Sequence, residues 1–311
     1  MHVTSAFLAC LLGLSAPAKA AFGSAGVREE LGTLKKALFR SLGMGEATPE
    51  IPAGEWPNRW FPRPPADSSK EADSSKGADS SKGAAVTREQ LRDDVHGIRM
   101  GVPTSACDDG KVGLELDWDG SPVNHTCYHP NARFPVDPTA APRLLCDQIP
   151  ADYRANHSCM DTRITYSTPV PTFGTHRPLW PVYGEYTFLP TQRWLHTLEH
   201  GGIVMLYHPC AHPAEVASLR STVTGCIRKH VITPSTHLTP DEPLALVSWG
   251  CRLSMPHADE DAAVAFIRGH GLRAPEGALA DDGQFAVGLV RAAAVPEGSD
   301  ARDGHLCPNN F

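Results

Sequence analysis

The sequence predicts an α+β fold: a single disulfide-stapled domain with a small sheet flanked by helices, preceded by a helix and a disordered linker. Three observations lead there. Short apolar runs of strand length and longer stretches of helical spacing are mixed over residues 87–311 without a regular βα order. Eight of the 9 cysteines fall in that same region. A polar six-residue repeat separates it from a lone amphipathic segment upstream.

The elements follow in order. Residues 6–14 form an apolar run too short to span a bilayer, Pro17 breaks it, and Ala18-Lys19-Ala20 has the small-x-small form of a signal-peptidase site. Residues 1–20 therefore read as a signal peptide. Residues 21–64 carry Val27, Leu31, Leu34, Leu38 and Leu42 at helical spacing, stopped by Gly43. Residues 65–86 hold the repeated Ala-Asp-Ser-Ser-Lys, which offers nothing to bury and reads as a disordered linker. The main domain, 87–311, opens with Thr87 as a helix N-cap ahead of Leu91 and Val95. Val112, Leu114, Leu116 and Trp118 alternate with polar residues and Gly113, the pattern of a half-buried strand closed by Asp119-Gly120. Residues 121–190 are loop-rich.

Residues 194–209 are the most informative stretch. His196 and His200 share one helix face, while Trp194 and Leu198 lie nearly opposite, so the apolar pair is expected in the core and the imidazoles in a cleft or at the surface. Gly201-Gly202 ends the helix, and residues 203–207 are an apolar run of strand length. His208-Pro209-Cys210-Ala211-His212-Pro213 reads as a stiff turn. A helix is expected over 214–229, a strand over 244–249, a helix opened by Asp259-Glu260-Asp261, and a last strand over 285–290.

Composition narrows the function. A net charge of -7 without a basic stripe argues against nucleic acid. No run approaches the roughly twenty apolar residues of a membrane span, so no transmembrane anchor is visible. Cys10 leaves with the leader. Cys107, Cys127, Cys146, Cys159, Cys210, Cys226, Cys251 and Cys307 form an even set with no C-x-x-C pair, which suits disulfides of an oxidising compartment. Nearest-neighbour closure is the simplest expectation: Cys107–Cys127, Cys146–Cys159, Cys210–Cys226 and Cys251–Cys307. The triplets at Asn124 and Asn156 fit N-glycosylation. Together these place the protein as secreted or lumenal.

The run Leu206-Tyr207-His208-Pro209-Cys210-Ala211-His212-Pro213, followed by Cys226, Leu238-Thr239-Pro240-Asp241, Ser248-Trp249-Gly250 and Met255, resembles the tumour protein p53-inducible protein 13 family. Gly174-Thr175-His176, Gly184-Glu185-Tyr186, His196-Thr197-Leu198-Glu199-His200-Gly201 and Trp249-Gly250 resemble a bacterial domain family of unknown function that carries G-x-H and H-x-x-E-H-G. The two likenesses together reach over residues 165–276. The first implies a role in stress response and negative regulation of cell growth, without established enzyme activity. It also implies a membrane-associated protein, so a membrane-associated or cytoplasmic location stands as the alternative.

His196-Thr197-Leu198-Glu199-His200 also matches the inverted zinc-protease motif, in which two histidines one turn apart hold the metal and a glutamate activates water. His196 and His200 are then ligands, Glu199 a base or orienter, and His176 the third ligand by the bacterial resemblance. The cofactor would be a transition metal such as zinc or copper. His208 and His212 are reserve ligands. The plainer alternatives are a structural histidine pair at a helix end and, for His208 and His212, a turn beside a disulfide. Two functions follow. The first is a non-catalytic secreted or lumenal binding domain with an unknown protein partner. The second is a metal-binding protein or metal-dependent hydrolase.

Overall fold

The structure is a computed structural model that describes residues 86–128 and 133–309. The expected signal peptide, the upstream helix and the repeat linker through residue 85 lie outside the described residues.

The centre is a seven-stranded mixed sheet. Its strands are β3 (Arg143–Cys146), β4 (Gly184–Tyr186), β5 (Ile203–Tyr207), β6 (His230–Pro234), β7 (Leu244–Ser248), β8 (Cys251–Met255) and β9 (Leu289–Ala292). Their order is β3-β8-β7-β5-β6-β4-β9. β6 runs parallel to both β5 and β4, and the other pairs are antiparallel. A separate ribbon pairs β1 (Arg92–Asp93) with β2 (Gly97–Ile98).

Helices cover both faces of the sheet. α1 (Thr191–Glu199) packs on one, and α2 (Pro213–Cys226) and α3 (Glu260–His270) on the other. Alternation along β5 shows why. Ile203 and Met205 join Val216, Leu219, Val223, Phe266 and Ile267 in one core, while Val204 and Leu206 join Trp194, Leu195 and Leu198 in the second. A strand buried on both faces needs apolar residues at every position, which is why β5 and β7 read as continuous runs. β5, α2 and β6 form a crossover that joins two parallel neighbours. The ends of α2 and α3 obey the capping rules. His212 Nδ1 accepts from the Ala214 N–H with Pro213 in the first turn, and Asp259 Oδ1 accepts from the Ala262 N–H.

Several expected elements differ. Residues 112–118 are not a strand: Gly113 takes the left-handed conformation (φ 74°) and starts a 3₁₀ turn at Leu114–Leu116, leaving Val112 71% exposed. The helix expected after Thr87 is a 3₁₀ turn, Glu89–Leu91, that runs into the β1–β2 ribbon. The last strand begins at Leu289, because Gly288 (φ 81°) turns the chain just before it. Four further strands, β3, β4, β6 and β8, complete the sheet where the sequence pattern predicts none.

All eight cysteines of the domain are bonded, but none in the nearest-neighbour pairing. The pairs are Cys107–Cys159, Cys127–Cys210, Cys146–Cys251 and Cys226–Cys307. The reason is topological. Cys146 and Cys251 face each other in the β3–β8 register. The Cys307 N–H donates to the Cys226 carbonyl at the end of α2, and the Met160 N–H donates to the Cys107 carbonyl. Sequence neighbours are held on different elements. The Cys146–Cys251 bridge spans 105 residues. Its double replacement by serine is expected to cost about 4–5 kcal/mol in denaturant unfolding by the loop-entropy relation, and peptide mapping without reductant should recover the other three pairs.

Candidate metal centre

α1 ends at a point that aims its last turn inward. Gly201 (φ 76°) reverses the chain, and a Cβ there would lie 2.7 Å from Leu272 Cα, so no other residue fits without displacing backbone. His196 and Glu199, three apart, project from the same face of the helix into the interior. Both are completely buried, as is His200. The imidazoles thus lie in the interior and not in an open cleft or at the surface.

Two loops meet this helix. His157 and His176 lie side by side in an isolated parallel bridge, in which the His176 N–H donates to the Asn156 carbonyl and the Ser158 N–H to the His176 carbonyl. The next residue, Arg177, is fully buried and binds the Asp117 carboxylate in a fork at 2.8 and 2.5 Å. Its backbone carbonyl faces His196.

Three imidazoles are oriented alike. The Nδ1 of His157 contacts the Ile98 carbonyl at 2.7 Å, that of His176 the Gly174 carbonyl at 2.9 Å, and that of His196 the Arg177 carbonyl at 2.7 Å. A carbonyl can only accept, so each Nδ1 carries the proton, and in a neutral ring the Nε2 then presents a lone pair. These three Nε2 atoms and both Glu199 oxygens are buried, and none makes a hydrogen bond to a described residue. One donor atom from each of the four side chains lies within 4.8 Å of the others. His176 Nε2 is 3.1 Å from Glu199 Oε2, and His157 Nε2 is 4.0 Å from the same oxygen. Electron pairs facing each other at that range repel unless a cation or proton lies between them. Tetrahedral bonds of about 2.0–2.1 Å separate neighbouring ligand atoms by about 3.4 Å. Carbonyls that fix the far nitrogen of each ring are the usual partners of metal-binding histidines.

Burial keeps His157 and His196 in the ligating, neutral form. It pushes the His157 imidazole down to about 3 and that of His196 well below its usual value. Burial also lowers His200, opposed by the carboxylate of Glu276. His157 stacks on His196 with centroids 4.8 Å apart.

A second group adjoins the first. His196, His200 and Glu276 offer donors within 4.8 Å of one another. His200 Nε2 is 3.1 Å from Glu276 Oε2, and His96 Nε2 is 3.7 Å from Glu276 Oε1 and 3.9 Å from Glu199 Oε1. The buried ammonium of Lys229 donates to the carbonyls of His200, Gly277 and Leu279, and the Glu276 N–H donates to the Glu199 carbonyl. These contacts fasten the segment carrying Glu276 to the end of α1.

The residues expected from the sequence thus separate. His176, His196 and Glu199 meet in one group, and His200 belongs to its neighbour. His157, Glu276 and His96 were not expected as donors. His157 sits inside the Asn156 sequon, where only the asparagine drew notice. The Asn156 side chain is exposed, and Asn124 Oδ1 accepts from Trp118 Nε1 at 3.2 Å. His208 Nδ1 accepts from the Cys210 N–H at 3.0 Å, so His208, like His212, shapes the turn before α2. A further grouping of Cys146, Cys251 and His270 offers no thiolates, because both sulfurs are in a disulfide.

A family described as "Protein of unknown function (DUF3105)" matches residues 157–283, a stretch that begins at His157 and holds every donor named above except His96. Tumor protein p53-inducible protein 13 of Mus musculus is 32% identical over 98 residues, 31% of this chain and 26% of the relative. The Rattus norvegicus protein of the same name is 33% identical over 102 residues, 32% of this chain and 26% of the relative. The relationship is distant. The chain matches about a quarter of the length of these curated relatives. No solved structure matches.

Proposed function

We propose that this domain binds a transition-metal ion, zinc or copper, in the cage formed by His157, His176, His196 and Glu199, and that it acts as a non-catalytic binding domain. One observation carries the reading: three buried imidazole lone pairs and a buried carboxylate converge with no hydrogen bond to a described residue. Three nitrogens and one oxygen suit zinc or copper better than the hard cations calcium and magnesium, which take oxygen. Glu199 is a ligand in this reading and not a base, which argues against hydrolysis at this position. Its place among the imidazoles fills the fourth position that a catalytic metal keeps open.

The disulfides are compatible with a secreted or lumenal location. An open cleft of about 720 Å³, lined in part by Trp118, Tyr166, Phe188 and Gln192, supports the binding role. The name of the rodent relatives supports p53-dependent induction, for the matched third of this chain only, and a growth-restraining role is part of the reading that the family resemblance implies.

Metal analysis of protein made through a secretory route tests the proposal. At least one equivalent of zinc or copper should survive dialysis, and His176→Ala or His196→Ala should weaken binding by more than about 100-fold, beyond the loss seen for outer-shell partners. Protein that takes up no metal even when either ion is supplied in excess would overturn it.

A further inference from the structure

We propose that a metal ion enters and leaves the cage through an outer position held by His200 and Glu276, with His196 as the ligand common to both positions and a single ion occupying them in turn. The inference rests on the cage being a metal site. Three features of the structure carry it.

The two groups of converging donors overlap in one residue. His157, His176, His196 and Glu199 make the first, and His196, His200 and Glu276 the second, with one donor atom of each member within 4.8 Å of the others in its group. The Nδ1 of His196 is bound to the Arg177 carbonyl, so its Nε2 is the one nitrogen free for an ion in either group. One lone pair serves one ion at a time. The positions are therefore alternatives. An ion that moves inward keeps its bond to His196, gives up His200 and Glu276, and gains His157, His176 and Glu199.

The outer side chains are set for a cation. Both ring nitrogens of His200 and the Oε2 of Glu276 are buried and make no hydrogen bond to a described residue, although His200 Nε2 and Glu276 Oε2 lie only 3.1 Å apart. That is close to the roughly 3.4 Å between neighbouring donors of a tetrahedral ion. The Lys229 ammonium on the His200, Gly277 and Leu279 carbonyls, and the Glu276 N–H on the Glu199 carbonyl, hold the pair against the end of α1.

Access separates the positions. Of the six donors Glu276 alone reaches solvent, with its side chain 19% exposed against 0–1% for the others. A hydrated ion therefore meets Glu276 first. Carrying a bare cation into a buried cage in one step costs the whole of its hydration at once. The outer position divides that cost: three protein donors replace part of the water shell there, and the cage replaces the rest.

Cobalt(II) exchange in the full chain provides the test. Uptake by metal-free protein is followed by ligand-field absorption in rapid mixing. Release is followed in excess chelator, where the rate no longer depends on chelator concentration. The native protein should hold one equivalent. Glu276→Gln and His200→Gln leave the cage whole, so each should also hold one, with affinity close to native. Uptake and release should both slow by about 10-fold or more, a barrier higher by about 1.4 kcal/mol. Slowing of both is the signature of a lost stepping position. Loss of an attracting charge alone slows uptake and not release, and a loosened fold speeds release. Either of those results, or native rates in either variant, would overturn the outer position and leave the cage intact. Two equivalents in the native protein would overturn the alternation. A native protein that takes up no ion, zinc and copper included, would remove both proposals together.

Discussion

Stripping the metal from the folded domain is expected to lower its melting temperature by about 8–16 °C. A ligand present at about a thousand times its dissociation constant contributes about 4 kcal/mol to the folded state. For a domain of this size each kcal/mol moves the midpoint by about 2–4 °C. The direction follows from the cage. Without a cation, the lone pairs of His157, His176 and His196 face the Glu199 carboxylate inside a volume that offers them no hydrogen-bond donor among the described residues. Those groups were hydrated in the unfolded chain, so leaving them unmatched costs stability. In the proposed cage an ion would also tie two loops to α1, because His157 and His176 lie outside any helix or strand of the sheet. Amide exchange should therefore rise first around residues 155–160 and 174–177, before β5 or β7 responds. Scanning calorimetry with and without chelator reads the shift, and His176→Ala should melt at the same temperature in both. A native protein whose midpoint ignores chelator would refute the stabilising role.

Local patterns were legible in the sequence, and long-range meetings were not. The end of α1, the glycine stop and β5 follow from spacing within a dozen residues. So does α3, whose acidic first turn and inner face of Ala263, Phe266 and Ile267 were visible from the chain. β6 was missed because its run is short, starts at a histidine and ends at a proline. His196, Glu199 and His200 were picked out because they share a helix turn. His157 was not, since its meeting with His176 is a bridge between two loops, and nothing near either residue signals the pairing. Glu276 and His96 arrive from beyond α3 and from the β1–β2 turn, for the same reason. The cysteines show the division well. Their even number was readable, but their partners depend on the β3–β8 register and on where the C-terminal segment meets α2.

Replacing Arg193 by methionine is expected to cost about 3–5 kcal/mol, the usual loss when one member of a buried ion pair is removed. Arg193 sits on α1, one turn before His196, with its side chain 1% exposed. Its guanidinium grips both oxygens of Asp108, at 2.5 and 2.9 Å, donates to the Leu179 carbonyl at 3.1 Å, and lies 4.2 Å over the Phe285 ring. Arg193→Met leaves the Asp108 carboxylate buried without its counter-charge, which is what makes the single change severe. Asp108→Leu combined with Arg193→Met removes both charges and should recover most of the loss, so the pair of changes should cost less than either single change in a double-mutant cycle. Denaturant unfolding of the four proteins measures it. A single-variant cost below about 1 kcal/mol would mean that the pair merely fills space. The consequence reaches the metal site without touching a ligand. Asp108 follows Cys107, and Cys107 is bonded to Cys159, two residues beyond His157. Loosening that anchor should let the His157 loop drift from α1, so Arg193→Met protein that still folds should bind zinc more weakly. The drop should be about 10–100-fold, the range seen when an outer partner of a metal ligand is lost.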